Sequence, residues 1–337
     1  MPKLIDPKLK SLIDKYGFDL DGAEEEGYSH EEIQTYLQKK NFTQVKELEL
    51  LLCPPYNMET TISNNRWMKE LSPEEKEVNI DKATAQFHTM YSLLAQDAFV
   101  YLFPASDRGF QDEVYITNAG VTLAHLYKTA VLSKFKAEGR PGEEKELEWF
   151  LKKYGYETHQ CPHYFEGEAE LKWIKDNIYV GGYGIRSDLE AFNWMSKKFD
   201  MNIITVEETD PLTYHLDCSI FPLSNTKVIY NTDIVKGKTL KQLEAVAECI
   251  PVSKKDAQFS IANNLRIGSI VYTGSAIKDM KESDKEYPYE KHKNETLEKI
   301  CRDAGLELIF INLSEFNKSG AALSCCIYHL NYTDFFD

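Results

Sequence analysis

The sequence has no long apolar segment and no cysteine framework. No run approaches the roughly 18 apolar residues that a membrane helix needs, and the first residues lack the apolar region of a secretory signal. The seven cysteines are odd in number and show no repeated spacing, which argues against a set of structural disulfides. We therefore expect a globular cytoplasmic protein with reduced thiols and no membrane partner.

Basic residues are scarce relative to acidic ones. The chain has 39 lysines and arginines against 54 aspartates and glutamates, a formal net charge of −15. Nucleic acid and anionic membranes both require a basic surface, so neither is expected as a partner. A negative field suits a small cationic ligand, although the same charge is also an ordinary route to solubility. The oligomeric state is left open, a homo-oligomer included.

Nucleotide and metal motifs are lacking as well. The glycine-rich residues 179–188 have neither the spacing nor the lysine of a P-loop, which excludes that type of phosphate site. Zinc is the alternative use of the cysteines and histidines, but no Cys-x-x-Cys pair or standard ligand spacing is present. The residues weighed for zinc are Cys161, His163, His215, Cys218 and Cys325. No metal and no cofactor are predicted.

Strand-like and helix-like segments alternate along most of the chain, which predicts a mixed α/β protein. Residues 1–45 differ from the rest because they are rich in charge and contain two helical candidates. We predict an N-terminal helical extension at 1–45 and a catalytic α/β domain at 46–337.

Residues 213–221 contain a histidine two positions before a carboxylate, His215 and Asp217. On a β-like run, this spacing directs both side chains to one face. Taken alone, the pair is better explained by a core histidine beside a surface aspartate. Two further segments bear on the choice: residues 164–167, which contain Glu166, and residues 318–326, which end in two cysteines.

The order acid, histidine, cysteine resembles the guanidine-modifying superfamily, which includes arginine deiminase, dimethylarginine hydrolase and the amidinotransferases. The resemblance runs from about residue 50 to about residue 330. It implies a five-bladed α/β propeller, the pentein fold. No letter-by-letter internal repeat supports the fivefold arrangement independently.

The resemblance implies a catalytic set of three residues. Cys325 is the nucleophile, His215 the general acid and base, and Glu166 the carboxylate that orients the histidine. Chemistry alone does not separate Cys325 from Cys326, but the resemblance of residues 320–322 to the family's glycine-rich approach to the nucleophile implies Cys325. The alternative is that both are buried thiols that act as small apolar residues.

The resemblance also assigns residues to the substrate. The segment 111–120 carries an acid and an amide six residues apart, which would share a face on a strand. An arginine in the glycine-rich segment would face the substrate's carboxylate, a task that suits a guanidinium better than an ammonium group. The predicted substrate-binding residues are Asp112, Asn118, Asp217, Arg186, Asn65, Asn263 and Glu170.

These features together predict a hydrolase that acts on the guanidino group of an arginine-like substrate. Asparagines at Asn65 and Asn118 resemble those of the arginine dihydrolases, which remove both guanidino nitrogens as ammonia. Single-step deimination or demethylamination is the next possibility. A third is an amidinotransferase that moves the amidino group to an acceptor amine. The non-enzymatic alternative is a binding protein that has kept the fold without catalysis.

Overall fold

The computed structural model describes residues 48–332, and these residues form small three-stranded sheets. The predicted helical extension at 1–45 lies outside the described residues. In chain order the strands are β1 (Glu49–Leu52), β2 (Phe99–Leu102), β3 (Gly120–Thr122), β4 (Thr129–Leu132), β5 (Glu157–Gln160), β6 (Leu171–Lys175), β7 (Ile178–Tyr183), β8 (Asn202–Glu207), β9 (Ile220–Ser224), β10 (Lys227–Asn231), β11 (Glu248–Val252), β12 (Asn264–Ile267), β13 (Ile270–Ser275), β14 (Glu307–Asn312) and β15 (Ile327–His329).

Helices connect the strands within and between the sheets. They are α1 (Arg66–Glu70), α2 (Pro73–Lys76), α3 (Ile80–Leu94), α4 (Glu143–Lys153), α5 (Leu189–Phe199), α6 (Gly237–Glu244), α7 (Lys254–Gln258), α8 (Tyr287–Asp303) and α9 (Ser314–Asn317). Short 3-10 turns lie at Pro55–Asn57, Ile116–Ala119, Gly167–Glu170, Leu216–Cys218, Ile277–Asp279 and Ser324–Cys326.

Each sheet repeats one unit: two antiparallel strands, a helical crossover, and a third strand parallel to the second. In one unit β6 pairs antiparallel with β7, and β8 returns parallel to β7 after α5. The helix α5 buries Phe192, Met195 and Phe199, whose spacing of three and four residues gives one apolar face. It ends at Asp200, which adopts a left-handed conformation with φ of 53°.

The C-terminal strand closes the ring of sheets. β15 pairs antiparallel with β1, with Tyr328 opposite Leu51, while β1 pairs parallel with β2. The first sheet is thus completed by the last strand, which carries the segment after Cys325 next to the start of the described chain. The predicted five-bladed α/β propeller is confirmed.

In four of the five sheets that the described residues form, the first strand of the unit follows a 3-10 turn that bears a predicted functional residue. Asn118, Glu170, Asp217 and Cys325 all lie in 3-10 turns, immediately before β3, β6, β9 and β15. The prediction that the segments around Asn118 and Asp217 are strands was therefore wrong. A turn frees a side chain from the alternation of a pleated strand, so that it can reach the centre of the ring.

Candidate active site

A narrow cleft in the propeller holds residues from several of these turns. Its lining combines carboxylate, amide, guanidinium, imidazole and thiol groups with a few apolar side chains. The lining residues are Asn64, Asn65, Met68, Asp112, Tyr115, Asn118, Arg140, Arg186, Tyr214, His215, Ser319, Ala321 and Cys325. Four more predicted site residues are buried beside it: Glu166, Glu170, Asp217 and Asn263.

Cys325 contacts a carboxylate and an amide. Its Sγ lies 3.4 Å from Oδ2 of Asp217, and Nδ2 of Asn263 donates to it over 3.3 Å. The other end of the Asn263 amide accepts from the backbone nitrogen of Ser324 at 2.7 Å, so the amide is fixed in orientation. Burial, and then the charge of Asp217, raise the pKa of Cys325 to about 12. The unliganded site therefore holds a thiol rather than a thiolate.

The neighbouring Cys326 lies outside the cleft. Its side chain is buried in an apolar cluster, and its Sγ is 3.7 Å from the carbonyl oxygen of Ala322. Burial raises its pKa well above the ordinary value, which is typical of an unreactive core thiol. Of the two adjacent cysteines, Cys325 is the one that reaches the cleft, in agreement with the register inferred from the sequence.

Glu166, His215 and Arg186 form one buried cluster. A single oxygen of Glu166, Oε2, lies 2.8 Å from Nε2 of His215 and 2.8 Å from Nη1 of Arg186. Burial alone would raise the pKa of Glu166, but Arg186 and the contact with His215 lower it to about 2. Burial lowers the pKa of His215, so this histidine is neutral in the unliganded site. The positive charge of Arg186 balances the negative charge of Glu166.

Gly167 explains how Glu166 comes to face the cluster. It has φ of +65°, in the left-handed region, and an added Cβ would lie 2.7 Å from the carbonyl oxygen of Gly120. It would also collide with the carbonyl oxygen of Thr117. The Phe-Glu-Gly pattern therefore needs its glycine so that the chain can turn against the neighbouring unit.

Asp112 and Asn118 lie on one folded segment rather than on a strand. Asp112 accepts a hydrogen bond from the side-chain amide of Asn64. Burial raises the pKa of Asp112, and the nearby charge of Arg140 opposes that rise. Asn118 contacts His215, with 3.5 Å between its Nδ2 and Nε2 of His215. Both side chains reach the cleft, although the reason inferred from a strand periodicity was wrong.

Asn65 lines the cleft, but its amide is fully used within the protein. Oδ1 caps α1 by accepting from the backbone nitrogen of Met68 at 2.9 Å. Nδ2 donates to the carbonyl oxygen of Ser319 at 2.8 Å and to the hydroxyl of Tyr214 at 3.2 Å. Its predicted contact with substrate stays a prediction, and the side chain as it stands shapes the cleft wall.

Arg140 and Tyr214 line the cleft without having been predicted. Nη2 of Arg140 donates to two backbone carbonyl oxygens of the segment that begins at Asp112, each at 3.1 Å. The guanidinium carbon of Arg186 lies 4.9 Å from the ring centre of Tyr214, within cation–π range. The aromatic residue next to His215 was a usable signal for Tyr214, whereas no motif pointed to Arg140.

A larger cavity of about 490 Å³ adjoins the cleft. The two share Tyr214 and Ala321 as lining residues, and the hydroxyl of Tyr214 donates to the carbonyl oxygen of Gly320 at 3.0 Å.

Within residues 48–332, no group of three or more histidine, cysteine, aspartate or glutamate side chains is arranged to hold a metal ion. In the same part of the chain, no helix is long and apolar enough to span a membrane.

The propeller of three-stranded sheets is the pentein fold, and solved structures with this fold are similar to the chain. The N-terminal domain of ArgZ with bound substrate, an arginine dihydrolase of cyanobacteria, superimposes with a TM-score of 0.73 at 23% identity, covering 85% of this chain and 98% of that one. A dimethylarginine dimethylaminohydrolase structure gives a TM-score of 0.62 at 16% identity, covering 84% of this chain and 99% of that one. No protein-family model matches the chain.

The chain is also similar in sequence to curated proteins. The chain is 26% identical over 284 residues to the bifunctional arginine dihydrolase/ornithine cyclodeaminase AgrE of Nostoc sp., covering 82% of this chain. It is 25% identical over 284 residues to the N(G),N(G)-dimethylarginine dimethylaminohydrolase of Mycobacterium tuberculosis, covering 83% of this chain and 85% of that one. The match spans 37% of the length of AgrE. These homologues confirm the recognition of the guanidine-modifying superfamily.

Proposed function

We propose that the chain is a hydrolase that acts on the guanidino group of arginine or an arginine derivative. The observation that carries the proposal is a cleft lined by the thiol of Cys325, by His215 and by Asp112, with the carboxylates of Glu166 and Asp217 buried beside it in contact with His215 and Cys325. Relatives named as arginine dihydrolase and dimethylarginine hydrolase support it. So does a structure of the ArgZ N-terminal domain covalently bound to a reaction intermediate.

The substrate in this proposal is a cation, and the cleft has groups to hold it. A guanidinium that leaves water needs charged partners, because an unpaired buried charge costs several kcal/mol. Asp112 and Asp217 provide carboxylates for its nitrogens through charge-assisted hydrogen bonds. Burial and the negative charge of Asp217 together keep Cys325 protonated, and a cation bound next to Asp217 offsets the second of these effects. The substrate thereby helps to ionise its own nucleophile.

The first hydrolysis uses His215 to move the proton. The thiol proton passes to His215, and Glu166 stabilises the imidazolium that forms. The thiolate attacks the guanidinium carbon, and ammonia leaves with the proton from His215, which gives a covalent amidino intermediate. His215 then takes a proton from water, whose oxygen attacks the same carbon and breaks the bond to sulfur. The product is citrulline, and the thiol is restored.

Asn118 favours a second hydrolysis step, in which citrulline is the substrate. The resemblance implies that single-step deiminases often have an aspartate at this point, whereas an amide leaves the cleft with one anion fewer. Binding a neutral ureido group, such as that of citrulline, then costs less free energy than it would beside an additional carboxylate. Attack by Cys325 on the ureido carbon releases a second ammonia, and water cleaves the resulting thiocarbamate to ornithine and carbon dioxide. We therefore propose an arginine dihydrolase reaction.

Product analysis tests this reaction and the role of Asn118. Carbon-labelled arginine, followed to completion, should yield ornithine and labelled carbon dioxide with the unaltered protein. Asn118→Asp should instead accumulate citrulline, because its second step is slowed by roughly tenfold or more. Citrulline supplied directly isolates that step.

The same assay separates the alternatives. Accumulation of citrulline by the unaltered protein would refute the second hydrolysis. Guanidinoacetate formed only when glycine is present would establish a transferase. Binding of arginine without any product would leave a binding protein on this fold.

Arg186 gives a second test, of the substrate's other end. We propose that it faces the α-carboxylate, since it lines the cleft beside Tyr214. Arg186→Lys keeps a cation near Glu166 but cannot form bidentate hydrogen bonds with a carboxylate. The KM for arginine should rise roughly tenfold or more, with a much smaller change for agmatine, which lacks the carboxylate. If KM rose equally for arginine and agmatine, Arg186 would not bind the substrate's carboxylate. Its role would then be structural, through its hydrogen bonds to Glu166 and to the carbonyl oxygen of Asn64.

We also propose a cytoplasmic location. All seven cysteines of the sequence lie in the described residues and none is paired there. A nucleophilic thiol must stay reduced, which a reducing compartment ensures. The partner in this proposal is a small cationic, arginine-like molecule.

A further inference from the structure

Glu170 and Glu208 lie close together behind the catalytic residues. Glu170 ends the turn before β6 and Glu208 follows β8, and both side chains are buried. They meet over Gly182 of β7, where an added Cβ would lie 2.8 Å from Oε2 of Glu170 and 2.9 Å from Oε1 of Glu208. The missing side chain of Gly182 makes room for two carboxyl groups where a larger residue would collide with both.

The oxygens of this pair have few donors. Oε2 of Glu170 accepts from the backbone nitrogen of Leu216 at 3.1 Å. Within residues 48–332, Oε1 of Glu170 and both oxygens of Glu208 lack a hydrogen-bond donor. The two carboxyl groups are nevertheless within hydrogen-bonding reach of each other. Two carboxyl oxygens can bond to each other only when a proton lies between them.

The surroundings favour that proton. Burial, and then neighbouring acids, raise the pKa values of Glu170 and Glu208 well above the ordinary range. The charged and titratable groups that face the pair are the acids Glu166 and Asp217, the thiol Cys218 and the cation Arg186. Since Arg186 is already bound to Glu166, it does not neutralise two further carboxylates.

We infer that Glu170 and Glu208 share one proton and that this pair positions the catalytic turn. The inference about the turn's role rests on the proposed hydrolase function. Leu216, which Glu170 holds by its backbone nitrogen, lies between His215 and Asp217. His215 contacts Glu166, and Asp217 contacts Cys325. Glu208 thus acts on the reaction through Glu170 and Leu216, without touching the cleft, and is a positioning residue.

The test compares three substitutions. Glu208→Gln keeps a hydrogen-bond donor towards Glu170 but cannot ionise. Glu208→Ala removes the donor and leaves the Glu170 carboxyl group unpaired. Glu207→Gln is the matched control, because Glu207 is the exposed neighbour of Glu208 and the substitution makes the same formal change of charge. Each variant is examined by denaturant unfolding across pH and by steady-state kinetics with arginine.

The unfolding measurement detects the shared proton and does not require catalytic activity. A carboxyl pKa raised in the folded state makes the native protein bind more protons than the unfolded chain. Stability from the pair is therefore present below the unfolded value of about 4.3 and is lost as pH rises through the folded value. The unaltered protein and Glu207→Gln should show this loss, and Glu208→Gln should bind about one proton fewer in the native state. An unchanged proton count in Glu208→Gln would overturn the shared proton.

The kinetic measurement reads the positioning role. Glu208→Gln should match the Glu207→Gln control, whereas Glu208→Ala should lose roughly 100-fold in kcat with little change in KM, because a misplaced catalytic turn slows chemistry more than binding. Equal kcat values for Glu208→Ala and Glu208→Gln would overturn this role. If the unaltered protein itself does not turn over arginine, the proposed function fails, while the unfolding result still decides whether the proton is shared.

Discussion

Cys325→Ser is expected to abolish turnover of arginine, with kcat lower by roughly four to six orders of magnitude. A serine hydroxyl in this site has no group basic enough to ionise it, whereas a thiol is acidified when a cation binds beside Asp217. The substitution removes no charge from the site and nearly preserves side-chain volume. Folding and binding of arginine should therefore be retained, as measured by thermal unfolding and calorimetry.

Cys326→Ser is the matched control, because it makes the same chemical change one residue away. Its side chain contacts the carbonyl oxygen of Ala322 in the core, where a hydroxyl still has an acceptor. Activity should remain close to that of the unaltered protein, with a modest loss of stability from burying a polar group. If Cys326→Ser were inactive and Cys325→Ser active, the assignment of the nucleophile would be wrong.

Motifs predicted the residues of the site better than they predicted its local structure. Glu166, His215 and Cys325 come from distant parts of the chain, and the order of their motifs was enough to expect them together. The strand periodicity used for Asp112 and Asn118 failed because the segment turns in a 3-10 conformation before β3 begins. Single-sequence periodicity cannot separate a strand from the turn that leads into it when both are buried.

Hydrogen-bond partners could not be predicted from the sequence at all. Asn65 was expected to contact substrate, but its amide bonds are taken by α1, Ser319 and Tyr214. Glu170 was expected to bind substrate, which stays a prediction, and in the structure its carboxyl group accepts a hydrogen bond from the backbone nitrogen of Leu216. Glu208 belongs to no recognised motif, and only the structure shows that its buried carboxyl oxygens have no hydrogen-bond donor among the described residues.

Glu166→Ala is expected to lower the free energy of unfolding by about 3–5 kcal/mol and to remove activity. The substitution leaves the Arg186 guanidinium buried with its principal counter-charge gone. It also removes the carboxylate that stabilises protonated His215. Urea unfolding at neutral pH measures the first effect, and turnover of arginine measures the second.

The double variant Glu166→Ala with Arg186→Met distinguishes a lost charge pair from lost packing. Removing both charges should recover much of the stability, because the single variant's cost lies mainly in the uncompensated guanidinium.

The pKa of Glu166, about 2 in the folded protein, also makes the free energy of unfolding depend on pH. A lowered folded pKa gives stability that is present above the unfolded value of about 4.3 and is lost as pH falls towards 2. The unaltered protein should show this acid loss and both variants should lack Glu166's share of it. If the double variant were no more stable than Glu166→Ala, the buried pair would not be what holds this part of the site together.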